Sequence, residues 1–305
     1  MFGFPRQGIV EWQVYTGGPA LATTSLRYQQ WIKPYGCSQV FMLVAGPGGP
    51  GAGGTSAASG ARSGGGGGGS GGVTKALFPA CILPDVLYVR AGGIAVGGAP
   101  NTAGVQTSGN NSVVCLTPDP SFGVTALIEG WPGGAGAVAG TAGAAGGTGV
   151  GLYSQWGITQ GSAGQAGAAG GSGAVGTGLV APNTLILTGG GGGGGVSAGN
   201  GPFNGGDIGA QIPTTGAKLR PLIPGGNVTV KTGSHGFNMG IPIRELLDKS
   251  SAIVFSGGGG GYGESTGGFP GGDGAWGCGG GGGGAGSTGG AGGDGGPGFV
   301  IIGAW

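Results

Sequence analysis

The sequence predicts a mainly β protein with almost no α-helix, in which short strands alternate with long glycine-rich tracts packed as a polyglycine-II helix bundle. Glycine accounts for 91 of 305 residues, and in several tracts it recurs at every third position. A period of three is neither the 3.6 of an α-helix nor the 2 of a strand. It is the period of an extended left-handed helix with three residues per turn. Short runs rich in β-branched and aromatic residues, which are typical of strands, separate the tracts.

The clearest tract spans residues 268–298, where eleven glycines keep one register and bulky or charged residues such as Trp276 and Asp294 fall in the other two. The same repeat is unbroken in residues 161–176, and it is found in residues 48–72 and 134–149 with alanine or serine at some of the glycine positions. Four such tracts in one chain make a chance origin improbable. The repeat is therefore treated as structural.

Three other structures with glycine-rich sequence fit less well. Collagen needs abundant proline beside its glycines, and only 19 residues here are proline. Silk-like stacking would show a period of two. A flexible linker is the usual interpretation of such tracts, but disordered chains combine low hydrophobicity with high net charge. This chain has a mean hydropathy of +0.21 and a net charge of +1.

In a polyglycine-II bundle, backbones approach closely and bond sideways to neighbouring helices. The runs at residues 64–69, 189–195, 257–261 and 279–284 are expected to be surrounded by neighbours, with no room for a side chain. Ordering glycine costs more backbone entropy than ordering any other residue. Only a dense set of hydrogen bonds between helices can offset that cost.

Eight segments carry the strand composition, and we interpret them as a sandwich-like scaffold. They are residues 39–45, 85–91, 111–116, 123–129, 183–188, 227–231, 251–255 and 298–302. Several lead directly into a glycine tract, so strand and glycine-rich connection alternate along the chain.

The domain organisation divides the chain near residue 36. Residues 1–36 are rich in aromatic residues and form either an attachment segment or the first strands of the scaffold. Residues 37–305 form the glycine-rich β domain. Within it, residues 207–250 are the least glycine-rich part and are interpreted as an insertion, with a short helix expected at residues 243–249.

Several function classes lack their sequence signals. The single histidine, His235, has no clustered cysteine or carboxylate near it in sequence, and no pair of acidic residues stands out for acid–base catalysis. Lysine and arginine are dispersed, so no basic patch for nucleic acid is present. Cys37, Cys81, Cys115 and Cys278 show no CxxC pair, and unbonded thiols are favoured over a 37–81 or 115–278 disulfide. The expectation is a non-enzymatic protein without cofactor or metal.

No secretion signal is visible at the N-terminus, and no apolar run is long enough to span a membrane. Synthesis in a cytoplasm without standard export is therefore expected.

Two segments resemble a known group of proteins. Residues 31–54 (WIKPYGCSQVFMLVAGPGGPGAGG) and 289–305 (GGAGGDGGPGFVIIGAW) are similar to the opening and the close of glycine-rich domains in bacteriophage tails and tail fibres. A looser likeness is to the tail-fibre tip adhesins of T-even-type phages. Those adhesins pack glycine-rich tracts as a polyglycine-II bundle and display variable loops that bind a host receptor. The present chain has a larger share of strand-like segments.

The resemblance implies a virion protein of a tail fibre or spike, made in the host cytoplasm, that attaches to a protein or glycan receptor on the bacterial surface. Other virion proteins are the expected partners, and the chain is either a homotrimer or a monomeric cap on a trimeric fibre. Candidate receptor-binding residues are Tyr153, Trp156, Phe203, Asn204, His235, Phe237, Asn238, Tyr262 and Trp276. For each of them, packing on the bundle or on the strands is the competing explanation.

Two other functions are compatible with the sequence. One is a structural virion component, such as a spike, a fibre shaft or a capsid decoration, without receptor contact. The other is a cellular glycine-rich protein that binds ice or forms fibrils. Irregular loops favour a terminal adhesin, whereas a shaft or fibril would favour a uniform repeat.

Overall fold

The computed structural model describes residues 11–18, 28–106, 110–118, 125–150, 157–179, 187–209, 222–237 and 255–305. Ten strands are found in these segments, numbered in chain order. The first sheet contains, side by side, β1 (Glu11–Thr16), β10 (Phe299–Ala304), β3 (Gln39–Ala45), β4 (Val73–Pro79) and β9 (Ile158–Ser162). The second contains β2 (Gln29–Ile32), β5 (Val86–Arg90), β6 (Ser112–Cys115), β7 (Ala126–Gly130) and β8 (Thr148–Val150).

All strand pairs within the two sheets are antiparallel. Helical structure in the described segments is limited to two 3₁₀ turns, Ala80–Ile82 and Val138–Gly140. The prediction of a mainly β protein with almost no helix is therefore confirmed. No helix in these segments is long and apolar enough to cross a bilayer.

The two sheets pack face to face around one buried core. In β3, Val40, Met42 and Val44 point into this core, where they join Leu87 of β5 and Val114 of β6. The Thr74 hydroxyl of β4 also donates to the Glu129 carbonyl oxygen of β7 at 2.6 Å, which ties the sheets together. The packed strands therefore form a sandwich.

The first sheet is also buried on its other face. Phe41 and Leu43 of β3 and Phe299 of β10 pack there against residues that belong to no strand, among them Leu187 and Phe255. A strand covered on both faces needs a continuous apolar run rather than an alternating one. The sequence QVFMLVA of β3 meets that requirement.

The glycine segments are joined by hydrogen bonds that change direction at every residue. Within residues 64–72, the N–H groups of 64, 67 and 70 donate to the carbonyls of 171, 168 and 165. Those of 65, 68 and 71 donate to 283, 280 and 277, and those of 66, 69 and 72 donate to 137, 134 and 131. The pattern repeats every three residues, as the period in the sequence does.

Carbonyl groups of the same segment accept from further neighbours. The N–H groups of Gly49 and Ala52 donate to Gly69 and Gly66, that of Gly143 donates to Gly67, and that of Gly190 donates to Gly68. Six neighbouring segments therefore surround residues 64–72. The backbone groups of residues 279–285 likewise form hydrogen bonds with six neighbouring segments, and the partner segment recurs every three residues. We call this hydrogen-bonded set of segments the glycine lattice.

The lattice leaves no space for side chains at most of its glycines. A Cβ built on Gly67, Gly192, Gly260 or Gly282 would lie less than 3.0 Å from a backbone oxygen of a neighbouring segment. Ten of the eleven glycines that keep one register in residues 268–298 have this restriction, and at Gly277 a Cβ would instead meet the Leu187 side chain at 2.7 Å. Their period in the sequence is therefore explained by close backbone approach.

Five of the eight strand predictions are confirmed: residues 39–45, 85–91 and 111–116 contain β3, β5 and β6, and residues 123–129 and 298–302 overlap most of β7 and β10. The prediction at residues 227–231 is wrong. Asn227 Oδ1 accepts the N–H groups of Thr229 and Val230, which folds this segment into a turn. Most of residues 183–188 and 251–255, and the helix expected at residues 243–249, lie outside the described residues.

The prediction omitted β1, β2, β4, β8 and β9. Four of these strands carry residues that weaken a strand pattern. β1 contains Glu11 and Gln13, β2 begins with two glutamines, β4 contains Lys75 and ends at Pro79, and β9 contains Gly161. Partner strands override these weak local preferences. β1 and β2, which lie within residues 1–36, are edge strands of the first and second sheet, respectively.

Candidate functional site

Several loops that reverse the chain between glycine segments meet at one end of the lattice. β3 leads into residues 46–54, and residues 64–72 lead back into β4, so the connection 55–63 lies away from the sheets. We define the turn end by the loops 55–63, 99–103, 172–175, 196–202, 264–267 and 286–289. Direct hydrogen bonds link neighbouring loops, for example Ser56 N–H to Asn101 Oδ1 and Gly289 N–H to Ser56 Oγ.

Short polar residues allow the chain to reverse at these loops. Asn101 and Asn200 adopt left-handed backbone conformations with φ of 61° and 63°, which asparagine tolerates better than most residues. Thr55 and Ser63 close their loop through the Thr55 hydroxyl, which donates to the Ser63 carbonyl and accepts the Ser63 N–H. The serines, threonines and asparagines that interrupt the glycine period thus shape the loops.

The surface of the turn end carries little charge. Residues 57–61 and 198–200 are all exposed and consist of alanine, serine, glycine and asparagine. The six loops contain no aromatic residue and only two charged ones, Arg62 and Glu264. Contacts made by this surface would therefore depend on shape, hydroxyl and amide groups rather than on ion pairs.

Both charged side chains form an ion pair or hydrogen bonds within the chain. The Glu264 carboxylate accepts from Lys231 Nζ at 2.8 Å, and the same ammonium lies 4.9 Å from the centre of the Phe269 ring. Arg62 is only 2% exposed and donates to four oxygens of the surrounding loops. Neither residue presents an isolated charge to solvent.

Three sequence-predicted candidates lie beside the turn end. Phe203 is half-buried and pairs with Gly263 through reciprocal backbone hydrogen bonds, and Asn204 beside it is exposed. Tyr262 is 4% exposed, with its ring centre 6.4 Å from that of Phe269. Phe203 and Asn204 can therefore reach a partner at the margin of the turn end, whereas Tyr262 packs inside.

Three other candidates lie nearer the sheets. His235 is exposed, and its Nδ1 accepts the backbone N–H of Asp273 at 3.0 Å. Phe237 is 40% exposed. Trp276 packs against Phe255 and Phe299, with ring centres 6.0 and 6.1 Å away. The structure thus does not gather the described candidates into one site.

Tyr153, Trp156 and Asn238 lie outside the described residues. The residues that sequence reasoning missed are those of the turn-end loops themselves. In the sequence, these loops are the places where serine, threonine, alanine and asparagine replace glycine and break the three-residue period. The pattern alone marks them only as interruptions of the repeat.

A second feature lies at the sheet end of the molecule. A cavity of about 620 Å³ is lined by residues that include Lys33, Tyr35, Cys37, Cys81 and Asp85. Lys33 Nζ donates to the carbonyls of Ala80 and Leu83 and lies 3.1 Å from the Asp85 carboxylate, so its charge is compensated within the cavity wall. All four cysteines lie in described segments, and none is disulfide-bonded.

Two other buried charged residues, Arg90 and Glu129, form a hydrogen-bonded network in the second sheet. Arg90 donates to the carbonyl of Asn111, whose side-chain amide donates to Glu129 Oε2 at 2.9 Å. Trp131 Nε1 donates to the same carboxylate oxygen at 3.1 Å. Burial lowers the pKa of the Arg90 guanidinium, against the opposing effects of Tyr28, Cys115 and Glu129. This network satisfies buried polar groups of the second sheet.

Among the described residues, no group of three or more histidine, cysteine, aspartate or glutamate side chains is placed to hold a metal ion. In comparisons with known proteins, no protein-family model matches the chain and no curated protein is significantly similar to it.

Proposed function

We propose that the chain is a non-enzymatic receptor-binding protein of a bacteriophage tail fibre or spike, and that its turn end contacts the bacterial surface. The observation that carries the proposal is the position of six loops at the end of a hydrogen-bonded glycine lattice, away from the sheets. The resemblance of residues 31–54 and 289–305 to glycine-rich phage tail domains supplies the biological setting.

The glycine lattice is proposed to be a polyglycine-II helix bundle. Hydrogen bonds that rotate among three directions with a period of three residues support this assignment, because three residues complete one turn of such a helix. The six neighbours around residues 64–72 and around residues 279–285 give further support. So do the glycines at which no Cβ would fit.

Such a bundle suits the presentation of a binding surface. Each loop starts and ends in a segment fixed by hydrogen bonds on several sides, so little entropy remains to be lost when the loops bind a partner. Loop residues can also change without altering the packed backbone beneath them. The sandwich at the other end is the proposed attachment region for other virion proteins, either as one subunit of a trimer or as a monomeric cap on a trimeric fibre.

The receptor is proposed to be a protein or a glycan on the bacterial cell surface. Because the turn end exposes no unpaired charge among its described residues, long-range electrostatic attraction should contribute little. Binding is therefore expected to change by less than about threefold when the salt concentration is raised from low to physiological values.

A pair of bulky substitutions tests the placement of the site. Ser59 is exposed in the loop 55–63, and Gln30 is exposed on the edge strand β2. Fluorescently labelled wild-type chain, Ser59→Trp and Gln30→Trp would be titrated onto a panel of bacterial strains. We expect saturable binding of the wild type to particular strains and a loss of affinity of about tenfold or more for Ser59→Trp only.

Unchanged thermal unfolding of both variants is the control for folding. Equal binding by wild type and Ser59→Trp would place the receptor contact elsewhere on the chain. Absence of binding to every strain that the parent virion infects would contradict the adhesin proposal and favour a structural virion component.

A further inference from the structure

We propose that Arg62 is a positioning residue that fixes three turn-end loops into one binding surface and thereby sets the affinity for the receptor. This inference rests on the proposed function. The three loops are 55–63, which contains Arg62 itself, 196–202 and 264–267.

The guanidinium of Arg62 reaches all three loops. Nε donates to the Gly60 carbonyl at 3.2 Å and Nη1 to the Ala57 carbonyl at 2.9 Å, both within its own loop. Nη1 also donates to the Ser265 carbonyl at 3.2 Å, and Nη2 donates to Asn200 Oδ1 at 2.6 Å. One planar group thus links segments separated by 138 and 203 positions in the chain.

The backbone of Arg62 is fixed to the lattice. Its N–H donates to the Val196 carbonyl, and its own carbonyl accepts the Val196 N–H, each at 2.9 Å. Gly173 N–H donates to the same Arg62 carbonyl at 3.2 Å. The side chain therefore extends from a fixed point to the loops 196–202 and 264–267. The second of these is also bonded to its other neighbour, because Glu264 N–H donates to the Ala285 carbonyl and Ser287 N–H donates to the Ser265 carbonyl.

The hydrogen bond from Arg62 also fixes the side chain of Asn200. Its backbone has a left-handed φ of 63°, and its N–H donates to the Ser197 carbonyl at 3.0 Å. Asn200 is exposed, yet its side-chain oxygen is directed at the buried guanidinium. The conformation at the tip of the loop 196–202 thus depends on Arg62.

Arginine is the side chain suited to this position. Its five N–H donors lie in one rigid plane, so it can serve oxygens in several directions at once, whereas lysine has a single nitrogen. The described acceptors are all neutral carbonyl or amide oxygens. The positive charge of the buried guanidinium strengthens each of these hydrogen bonds. Removal of one acceptor leaves part of that buried charge without a partner, which costs stability.

Hydrogen exchange measures the positioning directly. Amide exchange of residues 56–61, 198–201 and 264–267 would be followed by mass spectrometry in the wild type, Arg62→Met and Arg62→Lys. We expect exchange in all three loops to accelerate about tenfold or more in Arg62→Met and less in Arg62→Lys, with residues 64–72 unchanged. Asn200→Gly, which tolerates the left-handed backbone but removes the acceptor oxygen, should accelerate exchange in the loop 196–202. Asn200→Asp, which keeps an acceptor oxygen, should not.

Cell binding measures the functional consequence. The same variants would be titrated onto a strain that binds the wild-type chain. Affinity is expected to fall about tenfold or more for Arg62→Met and for Asn200→Gly, and to be kept by Asn200→Asp. Lys33→Met is the matched control, since Lys33 also donates to two backbone carbonyls but lies at the sheet end; its binding should equal that of the wild type.

Unchanged loop exchange in Arg62→Met and Asn200→Gly would overturn the positioning role. Faster exchange with unchanged affinity would overturn the link between these loops and the receptor. If the wild type itself binds no strain, the proposed function fails, while the exchange data still decide whether Arg62 orders the loops. Should Arg62→Met fail to fold, the two Asn200 variants still test whether the hydrogen bond from Arg62 orders the loop 196–202 and whether that order sets the affinity.

Discussion

Replacement of Gly282 by alanine is expected to lower the free energy of unfolding by about 3 kcal/mol or more. The added Cβ would overlap the Gly65 carbonyl, which accepts the Gly193 N–H at 2.9 Å, and would crowd the Gly193 nitrogen. Relief requires two lattice segments to move apart, which breaks several buried hydrogen bonds. Because domains are stable by only about 5–15 kcal/mol, the variant should yield little folded protein at 37 °C. Urea unfolding followed by circular dichroism measures the loss.

Gly267→Ala is the matched control. A Cβ built on Gly267 would meet only the Thr288 carbonyl oxygen at 3.9 Å, and its backbone is not in the left-handed region. Alanine there should raise stability by about 0.5 kcal/mol, because it restricts the unfolded chain without strain in the folded one. Equal stability of Gly282→Ala and the wild type would show that the lattice is not closely packed.

Replacement of Phe299 by alanine is also expected to lower the free energy of unfolding strongly. Phe299 is fully buried at the start of β10, where its ring lies 5.7 Å from that of Phe255 and 6.1 Å from that of Trp276. It joins the outer face of the first sheet to segments of the glycine region. Loss of a buried phenylalanine side chain costs about 3–5 kcal/mol. We expect the free energy of unfolding, measured with denaturant, to fall by this amount. Unfolding should remain a single transition detected equally by tryptophan fluorescence and circular dichroism.

Phe299→Leu keeps most of the apolar volume and should cost less than about 1.5 kcal/mol. If Phe299→Ala instead produced two transitions, with the sheets unfolding before the glycine segments, the two parts would be independent. That outcome would contradict the continuity of sheet and lattice described above.

The sequence was most informative where one physical constraint acts on every residue. Close backbone approach excludes side chains at each repeat, so the three-residue period in residues 268–298 correctly marks positions without room for a Cβ. The continuous apolar run of β3 likewise follows from burial on both faces. The edge strands β2 and β9 depend on their neighbours instead, and their own residues carry little strand signal.

The segment 227–231 shows how local chemistry can defeat a pattern. Its alternating valines resemble a strand, yet the Asn227 side chain caps a turn, and Val228 is 72% exposed. The turn-end loops were not among the sequence-based candidates for a related reason. Those candidates are mostly aromatic residues, and two of them, Trp276 and Tyr262, pack against other rings. Which small polar residues meet at one end depends on the path of every glycine segment, and composition does not specify that path.

The most direct test of the central claim, that the turn end faces the bacterium, is the orientation of the bound chain. An azide-bearing amino acid would replace Gln30 on β2 or Ser59 in the loop 55–63, and each purified chain would be coupled to beads through that position alone. Beads coupled at position 30 should capture cells of a strain that binds the free wild-type chain, and beads coupled at position 59 should not. Capture only by beads coupled at position 59 would show that the sheet end binds the cell, and would contradict the proposed orientation.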